Sequence, residues 1–495
     1  MTDDTITDSD DTTTDSDDTI TDSDDTITDS NDATTSISIE TKVDYTDSQI
    51  VTALDDHAAP LSTTDPTTDT DDPVADTDDL AYFDDLFEDG QIVGLGEATH
   101  GTREFFQLKH RLIQYLVVEH DVRVVGIETG FANSLSINDY VVHGEGDPAE
   151  ALRGIEIWPW KAESVLNLIE WLREFNTDRP LKDRVRFYGF DAQYTQGAVA
   201  ELREFFERAD PEFLASVDED LDAVDDDGVP AHTDDDCRSK AEATELVVPT
   251  IRERLEANCS AYMNATSERD WELARHHVEI LEQVAEHKRA HHALGEVCDP
   301  MSIGDEPLTD EQAARMKRVG RVRDRAMADN VEWLLDRGHS SRIALWAHDG
   351  HVSRTEQPAR RIDISQTSMG GYLAEWYGDE YCAVGFSFGS GEFRAMGETD
   401  DGFELREWSV DGPLPDTIDA TLAALGYSLA AVNLRTATAD DALREWLSTP
   451  RRHFALGAVY DPVDREQFVV EHRYPEVFDA VVYVDETTST RLLID

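Results

Sequence analysis

The chain has 495 residues, 42 Lys and Arg against 107 Asp and Glu, and a formal net charge of −65. That balance excludes a nucleic-acid grip by bulk electrostatics and disfavours an anionic membrane surface. No apolar run approaches the roughly 20 residues of a membrane span, no secretory signal is read at the N-terminus, and Cys237, Cys259, Cys298 and Cys382 are too scattered for a disulfide framework or an all-cysteine zinc site, which points to a cytoplasmic chain.

Residues 1–80 hold 25 acidic side chains and one basic one, Lys42. Ile6–Thr12, Thr13–Thr19, Ile20–Thr26 and Ile27–Ala33 repeat one seven-residue unit. Only one weakly apolar position recurs, so no coiled-coil seam forms. Such a segment buries too little to offset its ordering entropy. The runs also lack the Gly and the closing Glu of a calcium loop. Residues 1–77 are expected to be a disordered acidic tail, with one folded domain over 78–495.

From about Leu80 short apolar runs alternate with helical periodicity. Gln91–Gly96 reads as a buried strand. Arg103–Val118 sets Phe105, Leu108, Leu112, Ile113, Leu116 and Val117 on one helical face, and Val122–Ile127 is a second strand. This spacing predicts a βαβ unit with parallel strands. Further strands are expected at Val185–Phe190, Ile343–Ala347, Cys382–Phe388, Phe454–Val459 and Val481–Val484. Residues 196–335 are strand-free, with helical patterns at Ala241–Asn258, Glu268–His292 and Asp310–Asp336, and an acidic loop at Asp218–Asp236. The fold class is α/β: an open, mostly parallel sheet with flanking helices and a helical insertion at about 196–335.

Polar residues gather at the strand ends. The first strand runs into Gly96-Glu97-Ala98-Thr99-His100-Gly101, the second into Glu128, the third into Asp191, and the fourth into His348-Asp349-Gly350-His351. Ligands of open parallel sheets bind just beyond such ends, so an active site is expected there. Lys109, on the inward side of the helix after His100, can reach the same edge. Arg173, Asn176 and Arg323 are candidates for holding substrate. His287, His291 and His292 sit among Glu286, Lys288 and Arg289 and read as a solvated helix face.

No cysteine falls at a strand end with a histidine nearby, and no GxSxG nucleophile elbow is read in the sequence, so an acyl-enzyme serine is not expected. Direct water attack remains. His100 would take the proton, held in the right tautomer by Glu97 or Glu128. His351, His348 or Lys109 would meet the developing oxyanion. The same two Glu and three His also suit zinc or manganese, and pocket histidines suit a bound ligand such as haem.

Taken together, GEATHGTREFFQLKHRLIQYLV, VVGIE, WPWKAESVLNLIEWLREFN, FYGFDAQ, RDRAMADN and AHDGHV, closing on FDAVVYVDET, resemble the erythromycin esterase family, within the wider Tiki/TraB-like superfamily. The resemblance runs from about Leu80 to the C-terminus. It implies an α/β core with a helical subdomain and ester or lactone hydrolysis without a metal or other cofactor. It implies that Glu97 and His100 are the catalytic pair, with His100 the general base, and that Glu128, His348 and His351 complete the pocket. Lys109 stands where some members have Arg. The acidic tail has no counterpart, and a macrolide substrate does not carry over from the resemblance.

Residues 81–495 keep a two-to-one excess of acid spread along the chain, and lysine is scarce, seven in the whole sequence against 35 arginines. Such a surface suits high salt, where counterions screen self-repulsion. The melting temperature followed by circular dichroism is expected to fall well below its value in molar KCl when the buffer is dilute, because the Debye length grows from about 3 Å at 1 M to about 30 Å at 0.01 M. Equal melts in the two buffers would count against the adaptation.

Overall fold

The computed structural model describes residues 47–66, 77–226, 234–293, 309–337, 341–357, 366–399 and 402–493. The acidic heptads lie outside the described residues. A 9-stranded sheet organises the chain. Its strands are β1 (Ala58–Pro60), β2 (Ile92–Leu95), β3 (Val124–Gly130), β4 (Arg186–Asp191), β5 (Ile343–Trp346), β6 (Tyr381–Thr399), β7 (Gly402–Val410), β8 (Leu429–Asn433) and β9 (Ala480–Thr487). Their order across the sheet is β1-β8-β9-β6-β2-β5-β3-β4, with β7 paired to β6. From β9 to β4 every neighbour is parallel; β1, β8 and β7 pair antiparallel.

The central strands are apolar on both faces, as a parallel sheet covered on both sides demands. Ile92, Val124, Ile343 and Leu345 join one apolar layer, and Val93, Val125, Ala344 and Trp346 join the other. The second layer is closed by α1 (Arg103–Glu119) and α2 (Glu163–Asn176), through Leu108, Leu112, Val165 and Leu172. The first is closed by the insertion: α3 (Gln196–Ala209), α4 (Pro211–Val224), α5 (Asp234–Ala257), α6 (Glu268–His292) and α7 (Asp310–Arg337). Leu202, Val278, Met327 and Val331 are its contribution to that layer.

The strands β2 and β3 are parallel but not adjacent, because β5 enters between them. The strand order therefore reverses here, which is where such sheets open a crevice beyond their carboxyl ends. Register does the rest: Leu95, Trp346 and Ile127 share one row. Glu97, Glu128 and His348 follow that row within two residues, so all three emerge at the same edge.

Three expectations differ from the structure. The folded part begins inside the stretch assigned to the tail: a helix spans Ser48–Asp55, and β1 pairs with β8 through Ala58–Val432 and Pro60–Ala430. Leu54 and Leu61 are buried, so two short apolar anchors outweighed the acidic composition around them. The strand expected at Phe454–Val459 ends where it was to begin, since Arg451–Phe454 pairs with Val469–His472 in a separate hairpin. The acidic loop expected over Asp218–Asp236 is helical to Val224, where Val217, Leu221 and Val224 supply a buried stripe. Replacing Leu54 by Ala is expected to cost about 2–5 kcal/mol of unfolding free energy, read from urea denaturation; a loss below about 0.5 kcal/mol would show that the N-terminal helix is a loose attachment.

Candidate active site

Gly96 turns the chain out of β2, and any Cβ there would overlap Asp349 Oδ1. The loop that follows is pinned by its backbone: Leu456 N–H donates to Ala98 O at 2.8 Å, and His100 N–H to Gly457 O at 3.3 Å. Glu97 is fully buried. Its Oε1 lies 2.6 Å from His100 Nδ1. Its Oε2 accepts from Lys109 Nζ at 2.5 Å and from the Trp346 indole at 3.0 Å. A carboxyl acceptor assigns the imidazole proton to Nδ1, which leaves Nε2 of His100 bare, with no partner among the described residues. Lys109 is buried too, also donates to Ala347 O at 3.2 Å, and lies 5.0 Å above the Trp346 ring. Burial brings its pKa down to about 8, although Glu97 beside it pulls the other way.

A second cluster starts at Glu128. Its Oε2 accepts the backbone N–H of His348 at 3.0 Å, and its Oε1 lies 2.8 Å from Arg323 Nη2 and 3.3 Å from His351 Nε2. Burial works against ionisation, but His351 and Arg323 overcome it and hold the carboxyl well below the usual range. Arg323 reaches in from α7, takes Asp191 in a two-pronged grip at 3.1 and 2.7 Å, and so joins two strand ends. His351 Nδ1 lies 2.7 Å from Asp324 Oδ1. Burial disfavours its charge, yet Glu128 and Asp324 outweigh burial and push it up to about 10. Arg323 Nη1 is 3.2 Å from His351 Nε2. With a charged imidazole this contact is not a hydrogen bond; both donors converge on Glu128.

His348 links the clusters. Its Nδ1 accepts the Gly350 N–H at 3.0 Å, capping the short helix Asp349–Val352, so in the neutral ring the proton sits on Nε2. Its ring lies 5.1 Å from that of His100, and Trp160 stands edge-on to His100 at 5.8 Å. Trp160 also donates its indole N–H to Glu128 O at 2.5 Å.

Glu97, His100, Lys109, Glu128, Asp191, Arg323, His348 and His351 are thus brought to one edge. Arg173 and Asn176 are not. Asn176 is buried and ties α2 to the start of β4, donating to Val185 O and accepting from Val185 N at 2.8 and 2.7 Å. Arg173 donates to Val142 O at 3.3 Å. Both therefore serve the opposite end of the strands. The histidines of α6 correct a second expectation: His287 and Lys288 are buried, and Lys288 pairs with Asp226 at 3.1 Å. Sequence reasoning also missed Asp324, Trp160 and Trp346. Asp324 was within reach, because it neighbours Arg323 in the same motif.

One GxSxG run does exist, Gly385-Phe386-Ser387-Phe388-Gly389. It lies inside β6 rather than at a turn, Ser387 is fully buried, and its hydroxyl donates to Asp419 at 2.6 Å. His453 Nδ1 is on the same Asp419 oxygen at 2.9 Å, so the serine and the histidine share a carboxylate instead of bonding each other. No activated serine results. Cys382 sits at the start of β6, and burial raises its thiol pKa far out of the reactive range.

The erythromycin esterase family profile matches residues 117–487. The chain is 24% identical over 360 residues to the erythromycin esterase type II of Escherichia coli, covering 71% of this chain and 82% of that one. Among solved structures it is similar to a Bacillus cereus protein at TM-score 0.71 and 25% identity, over 90% of this chain and 98% of the other. It also shares its fold with the erythromycin esterase EreC, seen as a variant in its open conformation, at TM-score 0.63 and 19% identity, over 88% and 99% of the two chains. The profile spans well over half of the sequence, and the chain belongs to the erythromycin esterase family.

Proposed function

We propose that this protein hydrolyses a carboxylic ester or lactone of a small molecule by direct water attack, with His100 as the general base. The observation that carries the reading is the Glu97–His100 pair: one carboxyl oxygen fixes Nδ1–H at 2.6 Å and leaves Nε2 bare. A water on Nε2 would lose its proton there as it adds to the carbonyl carbon. His348, whose ring centroid lies 5.1 Å from that of His100, is the residue we assign to meet the oxyanion. Lys109 is not, since its ammonium is spent on Glu97 and Ala347 O behind the site. Nor is His351, whose nitrogens face Asp324 and Glu128. We assign His351, Arg323 and Asp324 to positioning Glu128 and, through its bond to the His348 N–H, the His348 loop.

The metal-dependent alternative fits the residues poorly. The carboxyl oxygens of Glu97 and Glu128 that a metal ion would need are already covered by an ammonium and a guanidinium, and a cation there would face like charge at close range. Ester hydrolysis is the class that the family membership supports, and a macrolactone is one candidate substrate among simpler esters. The setting we propose is cytoplasmic, on the few, scattered cysteines; among the described residues no helix is long and apolar enough to cross a membrane.

A screen of macrolactones and simple esters identifies a substrate. On it, His100→Asn is expected to lower kcat about 10²–10⁴-fold with the fold intact, and His348→Ala about 10²–10³-fold. Wild-type turnover in His100→Asn would refute the assignment.

A second test uses Lys109. As pH rises through about 8 the ammonium loses its proton, Glu97 loses its cation, and kcat/KM is expected to fall. Arginine stays charged, so Lys109→Arg should move that alkaline limb up toward the His351 value near 10. A limb that stays near 8 would assign it to another group.

A further inference from the structure

Glu156 lies between the helix Pro148–Arg153 and the turn Trp158–Trp160. Both of its carboxyl oxygens are sealed from solvent, and among the described residues neither has a hydrogen-bond partner. Buried carboxyls in native proteins are normally bonded, so this one points to a group that the chain itself does not supply. Its place adjoins the active site. A Cβ built on Gly130 would lie 3.5 and 3.6 Å from the two oxygens. Gly130 is in register with Asp191, two residues beyond Glu128 on β3. Four residues after Glu156, Trp160 holds Glu128 O and stands against the His100 ring. One short stretch of chain therefore touches the catalytic pair and carries the orphan carboxyl.

The surrounding charges define the missing partner. Burial, Asp226 and Asp191 together raise Glu156 to about 7, while its own backbone N–H and Lys161 pull the other way. Arg323 is committed to Asp191 and Glu128, and Lys288 to Asp226; Lys161 acts on Glu156 through charge but forms no ion pair or hydrogen bond with it among the described residues. Like charge excludes an anion, and an apolar group would leave the carboxyl unpaired. Among the described residues no three His, Cys, Asp or Glu side chains are arranged to hold a metal ion, so the cation that suits the place is organic.

We propose that Glu156 is a specificity-determining residue that anchors a protonated amine of the substrate, beside the end of β3, while the ester carbonyl lies at His100. The inference rests on the hydrolase reading for the nature of the substrate, but the anchor can be tested without turnover. Benzylamine, protonated at neutral pH, is titrated by calorimetry, at one fixed salt concentration, into the full chain and into Glu156→Gln and Glu156→Asp. Binding by the wild type is expected to weaken about tenfold or more in Glu156→Gln and to recover in part in Glu156→Asp. Absence of binding by the wild type, or equal affinity in Glu156→Gln, overturns the proposal. Melting curves of both variants identify a folding defect, and Glu156→Asp then carries the comparison, its affinity expected between wild type and zero. Where hydrolysis is found, kcat/KM is compared for esters of one acid with 2-(dimethylamino)ethanol, protonated at neutral pH, and with the isosteric 3-methylbutanol. The wild type should favour the amino ester about tenfold, and Glu156→Gln should lose that preference. An unchanged preference also overturns the anchor. Because binding needs no turnover, absence of hydrolysis with Glu156-dependent amine binding sinks the hydrolase reading alone.

Discussion

A carboxyl group with no access to water, Glu97, sets the terms for the rest of the site. Burying such a group is costly unless its oxygens are filled. Here one is filled by His100 and the other by Lys109 and Trp346. Each partner comes from a different element: the loop after β2, the helix α1, and the end of β5. The need to satisfy one buried group thus fixes a strand end, a helix and a neighbouring strand in mutual register, and it holds His100 by Nδ1. The geometry proposed for catalysis and the local stability have the same cause.

Arg323 does the corresponding work for the helical insertion. Among the described residues it alone crosses from α7 to both Glu128 and Asp191, while Asp324 beside it holds His351. The insertion is therefore more than a cover for one face of the sheet. Without α7 the carboxyls of β3 and β4 would stand as like charges at adjacent strand ends, which is destabilising by itself. A guanidinium suits this better than an ammonium, because its planar fork meets two carboxylates at once.

Much of this was legible in the sequence, and the reasons differ by residue. Glu97, Glu128, Asp191 and His348 follow apolar strands directly, and strand ends are easy to locate in a buried parallel sheet, where the runs are continuous. The helix Glu268–His292 was legible to the residue, since its apolar period is long. Arg173 and Asn176 misled because helical periodicity tells which face is inward, not which end of the sheet a position serves. His287 and Lys288 misled for a related reason: charged neighbours imply solvent, yet here Asp226 and the site's own charges take the place of water. The N-terminal boundary failed because composition averages over a window, whereas β1 needs only three residues and one partner strand. The GxSxG run Gly385–Gly389 was overlooked because it lies within a strand-like apolar stretch, and its place inside β6 removes the chemistry in any case.

The acidic surface and the acidic site obey different electrostatics, and this bears on how selectivity can work. At molar salt a Debye length near 3 Å would leave surface charges with almost no reach, so steering of a charged substrate over distance would be lost. Buried charges are screened far less. Glu128, Asp191 and Glu156 have little or no contact with solvent at their carboxyls, so whatever discrimination by charge this protein exercises must come from contact inside the cleft. A carboxyl left without a protein partner is the group in this site that has such a contact still to make. The cost of keeping it buried and unfilled is the physical reason to expect a ligand that fills it.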